Sequence, residues 1–463
     1  MRLIAALPLL WACARAQTPP PRGIVLVSMD TLRADHTAPG GAPADATPTL
    51  ARIAGEGIVF EQAFATANET LLSHGSMFTG RPTSHVAPVD YDFTIPDGTP
   101  TLASRMAAAG LRTGAVVASG HLARVFGLDD GFATYAEGQW WGSFQETVPM
   151  AVRWLDDAVR AGEPFFLFLH GYDAHNPYVK PGVFARMATP GTPNPLGTRL
   201  FDPFFYERVR GDRYYPTFPM RRIENTRGTT ILDIGNYEAL DAWAADPAVP
   251  SEPLTPEQRA FVEGTYRSAV LYADTWMGVL VEELARRGLL ETTTLVFVAD
   301  HGEALLDHGY YNHRHTLRDA STHVPFVVRP AGGVAPVRVT TPVSLLDVAP
   351  TLLELAGASP APQMEGRSLV PCFSGACPEG RMPYAEGAGG EASVTDGAWR
   401  LVTRGVSPSD PAFDAALRGG EGLRFFLYER ATGEKEDRAG DPALAPVLAR
   451  LRAGMLAARG AAP

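Results

Sequence analysis

Residues 293–309 read TTLVFVADHGEALLDHG. The run Thr293–Ala299 is apolar and rich in β-branched side chains, the pattern of a strand buried on both faces, and it stops at Asp300-His301-Gly302. The same design recurs near the start, where the apolar run Gly23–Met29 ends on Asp30. Thr113–Ala118, Pro164–Leu169 and Val324–Val328 read as further buried parallel strands, and His170 closes the second of these. Helical patterns separate them at Pro48–Gly55, Leu102–Ala109, Val148–Ala161, Glu257–Arg287 and Leu345–Ala356. Strands alternating with helices predict an α/β domain, a mostly parallel sheet sandwiched by helices. Such sheets carry their chemistry at the carboxyl ends of the strands, which puts Asp30 and Asp300 on one rim.

The flanking stretches differ in texture. Residues 1–17, MRLIAALPLLWACARAQ, combine an early Arg2, an apolar run and the small-x-small triplet Ala14-Arg15-Ala16, so 1–16 reads as a secretory signal. The run is too short to span a bilayer, and export to the periplasm or the exterior follows from this reading. A lipoprotein signal, with Cys13 bearing the lipid anchor, is the alternative. Residues 22–365 form the expected catalytic domain, with 181–256 an irregular insertion rich in Pro, Gly, Arg and aromatics. Its aromatic content favours a packed excursion beside the site. From 366 to 463 short alternating segments and a terminal helix predict a small antiparallel C-terminal subdomain. Cys372 and Cys377, in CFSGAC, suit a small-loop disulfide in an exported protein.

A formal net charge of -11 over 463 residues argues against a nucleic-acid partner or an anionic membrane surface, both of which would need a basic face. An anionic substrate must therefore be drawn by something local, a metal or a few Arg and His. Lysine occurs only at 180 and 435, so a catalytic lysine has almost nowhere to sit.

Four segments carry the chemistry: LVSMDTLRADH (26–36), TLLSHGSMFTG (70–80), FLFLHGYDAHNPY (166–178) and FVADHGEALLDHGYYNHRHTLRDASTHVPFVV (297–328). Together they resemble the sulfatase family, a branch of the alkaline phosphatase superfamily. TPTLARIAGEGIVFEQAFA (47–65), SLLDVAPTLLELAG (344–357), EGRSLVP (365–371), DGAWRLVTR (396–404) and FFLYERATGEKEDRAGDP (425–442) extend the resemblance over nearly the whole chain. The family's nucleophile motif is Cys or Ser, any residue, Pro, Ser, Arg, four of any kind, then Thr-Gly. With Thr79-Gly80 setting the register, Thr70 falls at the nucleophile, Leu72 at the Pro, Ser73 at the Ser and His74 at the Arg. No formylglycine can form at a threonine. The family's lysine–any–histidine motif is absent too, and His121 stands nearby, one position out of register.

The resemblance implies one divalent cation, calcium, zinc or manganese, held by Asp30, Asp300 and His301. It implies Thr70 as the nucleophile, His175 as the proton donor to the leaving group, and His74, Arg314, His315 and His121 as stabilisers of the transferred group. A formylglycine hydrate expels sulfate by collapsing to an aldehyde. A threonine ester has no such route, so phosphoric mono- or diesters are the expected substrates, on a small molecule, glycan or lipid. Sulfuric ester hydrolysis and phospho-group transfer are the catalytic alternatives, and an inactive binding protein is the alternative of another class. Taken singly, Asp30 is a plain turn former, Thr70 a helix N-cap and Asp300-His301 a surface turn. Their joint occurrence is what outweighs these readings.

Overall fold

The computed structural model describes residues 23–460 apart from 91–92, 189–193, 202–204, 217–220, 225–229, 234–242, 379–380 and 420. The expected signal and Cys13 lie outside the described residues. Eight strands form the central sheet, in the order Val337–Val339, Ile58–Phe60, Phe326–Arg329, Thr293–Val298, Gly23–Met29, Phe165–Gly171, Arg112–Val117 and Thr134–Glu137. Phe326–Arg329 runs against both of its neighbours, and the remaining strands share one direction.

The middle of the sheet matches the apolar runs because those strands are buried on both faces; every residue of Gly23–Met29, Phe165–Gly171 and Thr293–Val298 is buried. Each fully buried Val, Leu, Ile or Phe contributes about 1.5–3 kcal/mol to folding, so these strands anchor the core. The expectation for Val324–Val328 needs correcting. Pro325 has no N–H to donate, and the ladder breaks there. His323–Val324 pairs instead with Ala63–Phe64 in a separate small sheet, and Phe326–Arg329 enters the central sheet antiparallel rather than parallel.

Two groups of helices flank the sheet. Pro48–Ala54 and Phe144–Ala161 each pack on the long Pro256–Arg286; Thr70–Thr79, Leu102–Ala108 and Val348–Leu355 form the other group. Asp274, on the long helix, accepts from the backbone N–H groups of Thr49 and Leu50 at 2.8 and 2.9 Å, which satisfies the first turn of Pro48–Ala54. Phe205, Tyr206 and Tyr214 of the 181–256 stretch are buried, and the Tyr206 ring meets Tyr178 edge-on at 4.9 Å.

Toward the C-terminus, Tyr384–Glu386, Ala392–Thr395, Trp399–Gly405 and Leu423–Glu429 make an antiparallel sheet, with the helix Ala445–Ala458 packed on it. Cys372 and Cys377 are disulfide-bonded. One ion cluster ties this sheet to the large one. Arg400, fully buried, donates to Asp319 Oδ1 at 2.6 Å and Glu434 Oε1 at 2.7 Å, and Arg430 also grips Asp319. Among the described residues no helix is long and apolar enough to cross a membrane.

Candidate active site

Strand register builds the site. Ser28 is level with Val298 on one side and with His170 on the other, so Asp30 and Asp300, each two residues on, emerge together beyond the strand ends. Asp30 N–H still donates to Gly171 O at 3.1 Å, after which the chain turns at Thr31, whose φ is 57°. That left-handed residue is held from two sides. Its N–H donates to Asp300 Oδ1 at 3.2 Å, and its carbonyl accepts from Tyr266 Oη at 2.8 Å. Arg33 then bonds both Asp35 and Asp307, lashing the loop after Asp30 to the loop after His301.

Thr70 opens the helix Thr70–Thr79, all ten residues of which are buried. The cap position belongs to Glu69, and Thr70 makes no capping bond with its side chain. Instead the Thr70 hydroxyl donates to Asp30 Oδ2 at 2.9 Å and lies 3.4 Å from His301 Nε2. Ser73 Oγ donates to the Asp300 carbonyl at 2.6 Å, which fixes the helix against the strand end. Gly75 permits the close fit: a Cβ there would lie 2.6 Å from the Phe93 ring. The unpaired first-turn amides of this helix favour an anion at its N-terminus.

The acidic pair is under strain. Asp30, Asp300 and His301 are all fully buried, and one ligand atom from each lies within 4.8 Å of the others. Burial, and then the neighbouring Asp30, push the Asp300 carboxyl above its ordinary range. Asp30 Oδ1 and Asp300 Oδ2 have no hydrogen-bond partner among the described residues. His301 Nδ1–H donates to Gly302 O at 2.9 Å, which leaves Nε2 as a lone pair facing Asp300 Oδ2 at 3.5 Å. Two lone pairs aimed at each other inside a buried site repel unless a cation lies between them. The donor set therefore fits a divalent ion.

The other sequence-derived candidates divide. His175 donates from Nδ1 to Asn176 O at 2.7 Å and stacks on Trp141 at 5.0 Å. Arg314 sits in a left-handed conformation (φ 79°) with Nε 3.7 Å from Glu69 Oε1, beside the residue that precedes Thr70. Its charge is felt at His121 and His175, whose basicity burial has already lowered. His74 departs from expectation. Its Nδ1–H donates to Thr70 O at 2.8 Å, its Nε2 accepts from Ser28 Oγ at 2.9 Å, and burial drives it down to about 4. A neutral ring with both nitrogens engaged positions the helix and cannot offer the charge expected of it. His315 is stacked on Tyr310 at 5.0 Å, with Arg404 approaching its carbonyl, on the side of the C-terminal sheet.

Several side chains beside the site fall outside the set given roles from the sequence, His313 among them, which the sequence left balanced between a site residue and an exposed loop. His313 packs 4.6 Å from His301 and 5.1 Å from His175 by ring centroids, with Nδ1 3.2 Å from buried Glu303. His170 stands fully buried with its Nε2 3.7 Å from Asp30 Oδ2. Its place at a strand end was the available signal. Trp141 left no signal at all.

A family model described as Sulfatase matches residues 22–358. The chain belongs to the sulfatase family. Arylsulfatase K of Xenopus laevis is 25% identical to this sulfatase-family chain over 230 residues, 50% of the chain and 39% of that protein. Choline-sulfatase of Rhizobium meliloti (strain 1021) is 34% identical over 214 residues, 35% of the chain and 41% of that protein. The matches thus span well under half the length of these curated relatives. Phosphonate monoester hydrolase of Agrobacterium radiobacter superposes with a TM-score of 0.70 at 20% identity, covering 95% of each chain, a likeness of fold.

Proposed function

We propose that this sulfatase-family protein is a metal-dependent hydrolase of oxyacid esters that attacks phosphoric mono- or diesters with Thr70. The observation that carries the proposal is the Thr70 hydroxyl, buried at a helix N-terminus and bonded at 2.9 Å to one of the paired carboxylates. A hydroxyl serving only as a cap would point at its own helix.

Asp30, Asp300 and His301 would hold the cation, which when bound supplies charge neutralisation and a lowered hydroxyl pKa. Thr70 Oγ attacks the central atom of the ester, and its proton passes along the existing hydrogen bond toward Asp30 Oδ2. The first-turn amides and Arg314 stabilise the charge that gathers on the transferred group. His175, in its protonated form, delivers a proton from Nε2 to the departing oxygen; Nδ1 is already committed to Asn176 O. Water then attacks the threonine ester and restores the hydroxyl.

A second reading, sulfuric ester hydrolysis, is favoured by the names of the relatives, an arylsulfatase and a choline-sulfatase. Side-by-side turnover of nitrophenyl phosphate, bis-nitrophenyl phosphate and nitrophenyl sulfate distinguishes the two. Acid quenching during turnover of the phosphodiester, followed by peptide mass spectrometry, should show a phosphoryl adduct on the peptide 70–81. Clear preference for the sulfate, or an adduct on Ser73 or Ser76, would reject the phosphate proposal or the Thr70 assignment respectively.

A further inference from the structure

We infer that Glu69, paired with Arg314 beside Thr70, makes the site select esters that carry a single negative charge over dianionic ones. This rests on the proposal that Thr70 attacks an oxyacid ester. It narrows the substrate class to singly charged esters and so disfavours the phosphate monoester dianion.

Glu69 immediately precedes Thr70 and holds the cap position of the helix Thr70–Thr79. Ser, Thr, Asp and Asn are the residues that cap well, and the Glu69 side chain makes no capping bond. Its segment is pinned from both ends. Glu386 N–H donates to Thr66 O at 2.9 Å, and Asn68 Nδ2 donates to Thr316 O at 3.0 Å. The second bond ties the segment to the loop that presents Arg314. Arg314 Nε lies 3.7 Å from Glu69 Oε1, longer than a hydrogen bond, so charge joins the two. Neither is sealed off, the Arg314 side chain being 18% and that of Glu69 10% exposed. Burial raises the Glu69 carboxyl, and Arg314 and then His301 draw it back, which places it within electrical reach of both the arginine and the cation site.

The consequence lies in the balance of charges. Asp30 and Asp300 would be offset by the divalent ion, and Arg314 is offset by Glu69. An entering ester therefore meets no surplus of positive charge. One negative charge can be shared between the ion and the first-turn amides of the helix. A second would lie uncompensated near a resident carboxylate, in a buried setting where like charges repel far more strongly than in water. Selectivity built on a repulsive group needs no added contact to the favoured substrate. A purely structural ion pair is the competing account. It does not explain why a carboxylate takes the cap position without capping, beside the hydroxyl that bonds Asp30. Phosphodiesters and sulfuric esters both carry one charge, so the substrates of the test separate them.

The test uses the full-length, metal-loaded protein at about pH 8.5, where a phosphate monoester is dianionic and a carboxyl is ionised. Methyl nitrophenyl phosphate, nitrophenyl phosphate and nitrophenyl sulfate share one leaving group. The preferred singly charged ester should exceed nitrophenyl phosphate in kcat/KM by about tenfold or more, and its identity names the class. Equal or better turnover of nitrophenyl phosphate overturns the inference and leaves the Thr70 hydrolase standing. No turnover of any of the three overturns that proposal and the inference with it. Binding gives a readout free of chemistry, because nitrophenyl sulfate and nitrophenyl phosphate have one shape and differ by one charge. Thr70→Ala should bind the sulfate more tightly, and adding Glu69→Gln should shift the ratio of Kd values toward the phosphate by about tenfold. A ratio that does not move overturns the role of Glu69. Where the glutamine variant fails to fold, the kcat/KM ratio of the unaltered protein decides.

Discussion

The Thr70 hydroxyl and Asp30 Oδ2 are joined by a 2.9 Å hydrogen bond across 40 positions of sequence, while the helix that Thr70 opens takes nothing from its side chain. Chemistry and stability therefore come apart at this residue. Thr70→Ala should lower turnover by about 10³-fold or more while shifting the unfolding free energy of the metal-loaded protein by no more than about 1 kcal/mol. Thr70→Ser, which keeps the hydroxyl, should retain measurable turnover. An alanine variant still working at a tenth of the original rate would remove Thr70 from the role of nucleophile.

Asp300 gives a prediction of opposite sign in two states. With the ion removed, its carboxylate faces Asp30 and the His301 lone pair without compensation. Asp300→Asn keeps Oδ1 for the N–H groups of Thr31 and His301 and deletes the like charge. The stripped variant should melt higher than the stripped original, by the equivalent of about 1–2 kcal/mol. Its metal affinity should collapse. Calorimetry with and without chelator measures both, and a stripped variant less stable than the stripped original contradicts the electrostatic picture.

In the proposed mechanism His175 protonates the departing group, so its importance should scale with how poorly that group leaves. His175→Gln should slow alkyl esters by about 10²-fold and nitrophenyl esters, whose leaving oxygen needs no proton, far less. Equal slowing of both series would point to substrate positioning instead.

Burial lifts the Asp173 carboxyl from 3.8 to about 6, although Phe144 N–H donates to its Oδ2 at 2.8 Å. This side chain caps the Phe144–Ala161 helix from outside. Because the folded value exceeds the unfolded one, the folded chain keeps a proton that the unfolded chain has lost between pH 3.8 and about 6. Its contribution is thus complete below that window and disappears as the pH rises through about 6. Relative to Asp173→Asn, the original protein should lose up to about 3 kcal/mol between pH 4 and pH 7. Denaturant titrations of the stripped proteins at several pH values would show a flat difference if the carboxyl were not buried as described.

The sheet was legible in the sequence where strands are buried on both faces, since Gly23–Met29 and Thr293–Val298 have no polar alternation to obscure them. The short strands toward the two sides of the sheet were not. Ile58–Phe60, Thr134–Glu137 and Val337–Val339 are short, and their pairing comes from neighbours distant in sequence. Pro325 was visible, but its effect on direction was not, because a broken ladder does not say which sheet each half will join. At the site, strand register carried Asp30, Asp300 and His301 to one place, and the packing of the Thr70–Thr79 helix on the strand end brought Thr70 to them. His74 misled because an Arg position suggests charge, whereas a helix interior makes an imidazole bond its own carbonyl four residues back. His170 and His313 depend on which strands become neighbours, and that is settled by tertiary packing.

Asp319 follows directly upon the loop that carries His313, Arg314 and His315, and Arg400 and Arg430 of the C-terminal sheet both hold it. Loss of the chain beyond residue 395 would strand that carboxylate and Arg318, which rests on Tyr428, without their counterparts. The loop would then slacken at its downstream end, and Arg314 with it. The stretch beyond residue 395 thus tethers the rim that carries the candidate site, and clipping it should abolish the proposed hydrolysis before the central sheet has lost a single strand.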